Sequence, residues 1–378
     1  MNFDFSEEQQ MLKDSVARFV QDEYDFEARN KVVANEAGFS DENWQKFAEL
    51  GWLSIPFAED LGGFGGGATD TMAVMEEMGK GLVAEPFAAS VLMFGGLLQA
   101  SAQSEERDAL IAAVIDGSLQ GAVAYAEPQS RYELKDVKCA AKVEGDTYRL
   151  SGEKSLVLNA VSANKIIVSA RVSGDQNDEQ GIALFLIDAD AEGLSKTALR
   201  TMDAQLVANL KLENVPAQAI CGADEGLAML QQMRQQLIVA LAAEALGIME
   251  KLNATTLEYC KTRKQFGVAI GSFQALQHRM VDTFMAAEQF KSILYRAVCS
   301  IEQNESADSI EINVAALKAM LGKAAKHIGG EAVQLHGGMG MTDELDVGHY
   351  VRRLLSINAA FGDGDYHQQR FANLSLAS

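Results

Sequence analysis

Apolar residues in the first part of the chain recur at helical intervals. Met11, Leu12, Val16, Phe19 and Val20 fall on one stripe of a 3.6-residue period. Ser6, followed by Glu7, Glu8 and Gln9, supplies an N-cap with acids in the first turn. A second helix is expected around Trp44, Phe47 and Leu50, ending at Gly51, and another over 70–78. A glycine-rich loop at 62–67 separates them. From about residue 119 to 222 the period shortens. Segments at 121–125, 148–150, 165–169, 182–187 and 210–212 are short and β-rich, with turns at Gly145-Asp146, Ser173-Gly174-Asp175 and Glu192-Gly193. Beyond about residue 225 the helical pattern returns over 227–261, 270–301 and 310–336. Charges are sparse on the inner faces, so these helices should pack on one another. The expected fold class is α+β. It comprises an N-terminal helical domain (1–118), a middle β-barrel or sandwich (119–224) and a C-terminal helical bundle (225–378).

Composition narrows the partners. The 378 residues carry a formal net charge of −21, which argues against nucleic acid or an anionic membrane surface, both of which select clustered Lys and Arg. No apolar run reaches the ~18 residues of a membrane span. The acidic start, Met1 to Glu8, is unlike a signal peptide. A cytoplasmic location is expected. Cys139, Cys221, Cys260 and Cys299 are widely spaced and read as reduced thiols, with no metal site.

Local motifs offer limited chemistry. The loop at 62–67 lacks the Gly-Lys-Ser/Thr of a nucleotide-binding loop and reads as a turn. His278, His327, His336, His349 and His367 show no metal spacing and read as core or surface residues. Two C-terminal segments carry more. One is Arg263-Lys264-Gln265-Phe266-Gly267 with Ile270 to Gln274 after it; the other is Gln334-Leu335-His336-Gly337-Gly338-Met339-Gly340. Arg pairs bidentately with phosphate, and paired glycines let backbone N–H groups approach a pyrophosphate. Taken singly, each also reads as a glycine-capped helix end.

Together these segments resemble the acyl-CoA dehydrogenase family. The resemblance extends over the whole chain: Phe5 to Gln9, Gly51-Trp52-Leu53, Leu61-Gly62-Gly63, Glu127-Pro128, and Leu150-Ser151-Gly152-Glu153-Lys154 all fit it. It implies a C-terminal four-helix bundle, FAD as cofactor, an acyl-CoA substrate desaturated at its α,β bond, and an electron-transfer flavoprotein as acceptor. In that family a glutamate takes the α-proton and the flavin takes the hydride. Each FAD lies across a subunit interface, and the neighbour's contacts map here onto Arg263, Phe266, Gln274, Gln334 and Gly338, with Gly337 beside them.

The other half of the site departs from the family pattern. Phe361 stands at one usual position of the base and Leu237 at the alternative one. Gln129-Ser130-Arg131-Tyr132 replaces a small Ala-Gly-Ser-Asp stretch, and Leu156-Val157-Leu158 replaces Trp-Ile-Thr. The chain thus resembles the non-catalytic subunit of heterotetrameric dehydrogenases acting on steroid side-chain or pimeloyl-type CoA thioesters, and on its own it is expected to be inactive. The alternative is a self-sufficient homotetramer whose base has moved to Glu244 or Asp363. Those two residues also read plainly as a salt bridge and a turn or cap.

Overall fold

The computed structural model describes residues 5–145 and 147–377. Residues 1–4 of the acidic start, and Asp146 of the expected turn, lie outside them. Six α-helices come first: α1 (Glu7–Glu23), α2 (Phe26–Ala34), α3 (Asp41–Glu49), α4 (Ala68–Gly81), α5 (Gly96–Ala100) and α6 (Glu105–Ile115). Strands β1 (Gly121–Ala124), β2 (Ala140–Glu144), β3 (Thr147–Leu158), β4 (Lys165–Arg171), β5 (Ile182–Asp188), β6 (Leu194–Arg200) and β7 (Leu206–Ala219) follow. The chain then enters α7 (Gly226–Thr262), a hairpin of β8 (Lys264–Gln265) and β9 (Val268–Ala269), and α8 (Gln274–Glu302), α9 (Ala307–His336), α10 (Val347–Ala359) and α11 (Gly364–Ala377). The expected order of helices, sheet and helices is present. Among the described residues no helix is long and apolar enough to cross a membrane.

The chain divides into two compact units. One is drawn from Met1–Lys31, Ala68–Val83 and Ile238–Ser378, the other from Val32–Gly67 and Ala84–Leu237. In the first, α1 begins with the expected capping box: Gln9 N–H donates to Ser6 Oγ at 3.1 Å, and Ser6 N–H to Gln9 Oε1 at 3.0 Å. Helices α4 and α7 cross backbone against backbone. A Cβ at Gly247 would lie 1.9 Å from the Glu76 carbonyl oxygen, and one at Gly79 would lie 2.2 Å from that of Glu244, so only glycine permits this approach. Around the crossing, Lys13 pairs with Glu76 at 2.6 Å and Lys80 with Glu77 at 2.8 Å. Helices α8, α10 and α11 all pack on α9.

In the second unit the sheet closes. β4, β2, β3, β7 and β5 form a ring completed by β4–β5 pairing, while β1 adds to β4 in parallel and β6 to β7 antiparallel. The middle segment is therefore a small barrel. β2 and β6 have no counterpart among the expected strands. Both are largely exposed on both faces, as in Leu194 to Arg200, and so lack the apolar alternation that announces a half-buried strand.

A buried ion pair fastens this barrel. Lys154 Nζ donates to Glu127 Oε1 at 2.8 Å and to Ser169 Oγ at 2.9 Å, and both partners of the pair are almost wholly out of water. The remaining Glu127 acceptor sites take the Lys138 and Cys139 backbone N–H groups and the Gln129 amide. Burial alone would push the Glu127 carboxyl up. The Lys154 charge and these hydrogen bonds outweigh it and hold the group below its ordinary value. Nearby, the Arg171 guanidinium donates to six backbone carbonyls, of Lys135, Val137, Ser173, Gln176, Asp178 and Gln180, tying two loops to the end of β4. Lys154→Met leaves the Glu127 carboxylate buried without its cation, so urea unfolding should show a loss of roughly 3–5 kcal/mol.

Candidate functional site

The first unit contains a cavity of about 460 Å³ whose walls come from the end of α7, the hairpin after it and the end of α9. Four of the residues expected to contact a cofactor line it together: Arg263, Gln334, Gly337 and Gly338. α9 runs to His336, and Gly337 turns the chain with φ 59° and ψ −138°, a combination open essentially to glycine. A Cβ on Gly337 or Gly338 would meet nothing within 4 Å, so no side chain crowds the main chain there, while the Gly337 N–H itself donates to the Gln334 carbonyl. Arg263 directly follows α7, its N–H still bonded to the Tyr259 carbonyl, and among the described residues no carboxylate pairs with it. A guanidinium without a carboxylate partner beside two glycines that no side chain crowds fits a phosphate or pyrophosphate anion.

The other two expected residues stand beside the cavity rather than in its wall. Phe266 and Gly267 form the two-residue tip of the β8–β9 hairpin, with φ 53° and 85°, as a type I′ turn requires. The Phe266 ring is thereby thrust outward, 92% exposed and edge-on to Phe273 at 6.2 Å. Gln274 is the first residue of α8 and is exposed. Sequence reasoning passes over Tyr259 and gives His336 only a core or surface role, and both line the cavity. Tyr259 lies four residues before Arg263, on the same helix face, and that spacing was the available signal.

Leu237 and Phe361, the residues expected at the two base positions, are both buried. Leu237 is buried on α7. Phe361 is buried in the turn between α10 and α11, with φ 57° in the left-handed region, a conformation that costs a bulky residue on the order of 1–3 kcal/mol. Its surroundings over-determine that turn. His367 Nε2 donates to the Phe361 carbonyl at 2.9 Å, the Gly364 N–H donates to Asn358 Oδ1 at 3.1 Å, and buried Lys318 Nζ donates to the Ile357 and Asn358 carbonyls at 2.7 and 2.9 Å.

The carboxylates offered as relocated bases are already engaged. Glu244 is buried and grips Arg353 through both oxygens, at 2.5 and 2.7 Å. Asp363 Oδ1 accepts the Tyr366 N–H at 2.9 Å, capping α11.

In the barrel unit, the stretch from Gln129 to Tyr132 spends its polar groups locally: Ser130 Oγ accepts the Glu127 N–H at 2.9 Å and donates back to the Glu127 carbonyl at 3.1 Å. Leu156 lies in a bulge of β3 against β7. It has φ 53°, its N–H donates to Asn209 Oδ1 at 2.9 Å, and its side chain is 60% exposed.

Comparison with known proteins matches this architecture. Family models described as the N-terminal, middle and C-terminal domains of acyl-CoA dehydrogenase match residues 6–118, 122–215 and 224–373. The chain belongs to the acyl-CoA dehydrogenase family, whose members are oxidoreductases acting on a CH–CH bond of an acyl-CoA. A Bacillus subtilis protein named "Probable acyl-CoA dehydrogenase YngJ" is 28% identical over 98% of each chain. The structure of PigA with FAD and proline is similar at a TM-score of 0.91, with 27% identity over 100% of each chain. The ChsE4-ChsE5 complex from Mycobacterium tuberculosis gives 0.89 and 26%, again over 100% of each chain.

Burial pushes the Lys318 amine down to about 7, against which the Asp363 carboxylate acts only weakly. Between about pH 7 and 10.5 the unfolded chain therefore carries a proton that the folded chain lacks. This amine makes stability rise with pH across that window, by at most about 1.4 kcal/mol per unit. Urea unfolding at pH 7.5 and 9.5 should show a gain for the wild type that shrinks or reverses in Lys318→Met.

Proposed function

We propose that this chain is a subunit of an FAD-dependent acyl-CoA dehydrogenase and lends cofactor contacts to a catalytic partner chain of the same family. The observation that carries the reading is the pairing of an open, phosphate-compatible cavity with a base turn that bears Phe361. Arg263 neutralises phosphate charge, the Gly337–Gly338 turn lets the ligand come close to the main chain, and Gln334, Gln274 and Phe266 complete the surface offered to the neighbour's flavin. FAD, when bound, accepts the hydride lost from the substrate's β-carbon.

At the other half-site this chain's residues do different work. Phe361 fills the place of a general base with a ring that accepts no proton, so the α-proton goes to a carboxylate on the partner. Glu244 is an unsuitable substitute, because it is buried and both its oxygens are held by Arg353. Asp363 is occupied as a helix cap. Leu156 presents an aliphatic side chain where the family pattern has an aromatic face for the ring.

Further support is by analogy. PigA is seen with FAD, and ChsE4 with ChsE5 in a complex of two chains. The acyl substrate is in the steroid side-chain or dicarboxylic class, the assembly is a tetramer, electrons leave through an electron-transfer flavoprotein, and the complex works in the cytoplasm.

The chain purified alone should show a flavin absorbance well below one FAD per chain and no turnover with a panel of acyl-CoAs. Co-expression with a related chain that carries the glutamate should restore both, at one flavin per pair. Stoichiometric flavin with turnover from the single chain would refute the reading.

A further inference from the structure

The two walls of the cavity come from helices that are distant in sequence, and one contact at its floor joins them. Tyr259 lies in the last turn of α7 and Arg263 directly follows the helix, its N–H donating to the Tyr259 carbonyl at 2.8 Å, so the two residues share one backbone frame. On the opposite wall, His336 is the last residue of α9, immediately before Gly337. The Tyr259 ring stacks on the His336 imidazole with centroids 4.3 Å apart and planes 29° from parallel. The Tyr259 hydroxyl reaches the His336 carbonyl at 3.4 Å, at the long end of a hydrogen bond.

His336 is fixed in turn. It is buried, and its Nδ1 lies 2.8 Å from the Ala332 carbonyl one turn back, which makes Nδ1 the protonated nitrogen. The imidazole is thus a rigid extension of α9, and Tyr259 is clamped to it. Arg263 and the Gly337–Gly338 pair line the same cavity, and this ring stack joins the two chain segments that carry them.

We infer that Tyr259 is a positioning residue for a nucleoside diphosphate: its stack on His336 holds Arg263 at the distance from the glycine pair that two linked phosphoryl groups span. The inference rests on reading this cavity as the phosphate end of the flavin site. Neither ring need touch the ligand. Each acts through a group that does, Tyr259 through Arg263 just beyond its helix and His336 through the glycine pair next to it. The long hydroxyl contact is secondary to the stack, so a phenyl ring at position 259 should serve nearly as well.

The test uses the full chain, co-expressed with its catalytic partner where that partner is in hand, with ADP and FAD as probes in isothermal titration. Tyr259→Leu should weaken ADP at least tenfold, and Tyr259→Phe should stay within about twofold of wild type. His336→Leu should match Tyr259→Leu. The double variant should lose no more than either single one, because both remove the same contact. Melting temperature is recorded in parallel, and affinities are compared at a temperature where every variant is folded. Should Tyr259→Leu fail to fold, Tyr259→Phe and His336→Phe, which both keep a ring on each side, should bind ADP within about twofold of wild type. Equal ADP affinity in wild type and the leucine variants, losses that multiply in the double variant, or weak binding by the ring-preserving pair would overturn the positioning role. Absence of ADP and FAD binding to the wild-type protein at millimolar probe would instead overturn the reading of the cavity itself.

Discussion

A charged group taken out of water must be wrapped by partners, and this requirement shapes both units. Lys154 and Glu127 share the barrel interior and gather Ser169, Gln129 and two backbone N–H groups around them. Arg171 collects six carbonyls. Arg353 and Glu244 join α10 to α7, and Lys318 holds the final turn of α10. Each of these groups is spent on structure, the Lys318 amine as a donor that burial leaves neutral above about pH 7. Arg263 contrasts with them: it lies at the surface of a cavity, and no carboxylate among the described residues neutralises it. The difference between spent and available charge is the plainest physical division between scaffold and candidate site.

Backbone strain follows a related pattern. Four of the bulky residues held in left-handed conformations, Arg131, Leu156, Phe266 and Phe361, fall on stretches where the sequence locates cofactor contacts, their replacements or the missing base. A conformation this costly persists only where neighbours over-determine it. Around Phe361 those neighbours are Lys318, Asn358, His367 and Asp363. The turn is thus held by several contacts around a residue that accepts no proton.

Much of the fold was legible in the sequence because amphipathic periodicity is a local property. The stripe of Met11 to Val20 and the runs over 227–261 and 310–336 emerge as α1, α7 and α9 nearly as drawn. Exposed strands were not legible. Ala140 to Glu144 and Leu194 to Arg200 bury too little to leave an alternating pattern, and they are held by pairing with β3 and β7 instead. The candidate site was half legible. Motif resemblance found Arg263, Gln334, Gly337 and Gly338, which line one cavity. It gave no hint that Lys318 anchors the Phe361 turn or that Tyr259 lies on His336, because both contacts join residues more than 35 positions apart whose types are common in helices.

The hairpin tip has a cost outside the site. A phenyl ring held 92% in water by a turn that cannot fold it back is a standing hydrophobic liability. In the proposed complex it is covered only when a second polypeptide arrives, so each unpaired copy carries the hazard through its lifetime. The formal charge of −21 limits like-with-like clumping, but it does not hide the ring. A cell making this protein therefore gains from producing the two chains in equal number and close together, since any surplus of this one would be a substrate for proteases and chaperones.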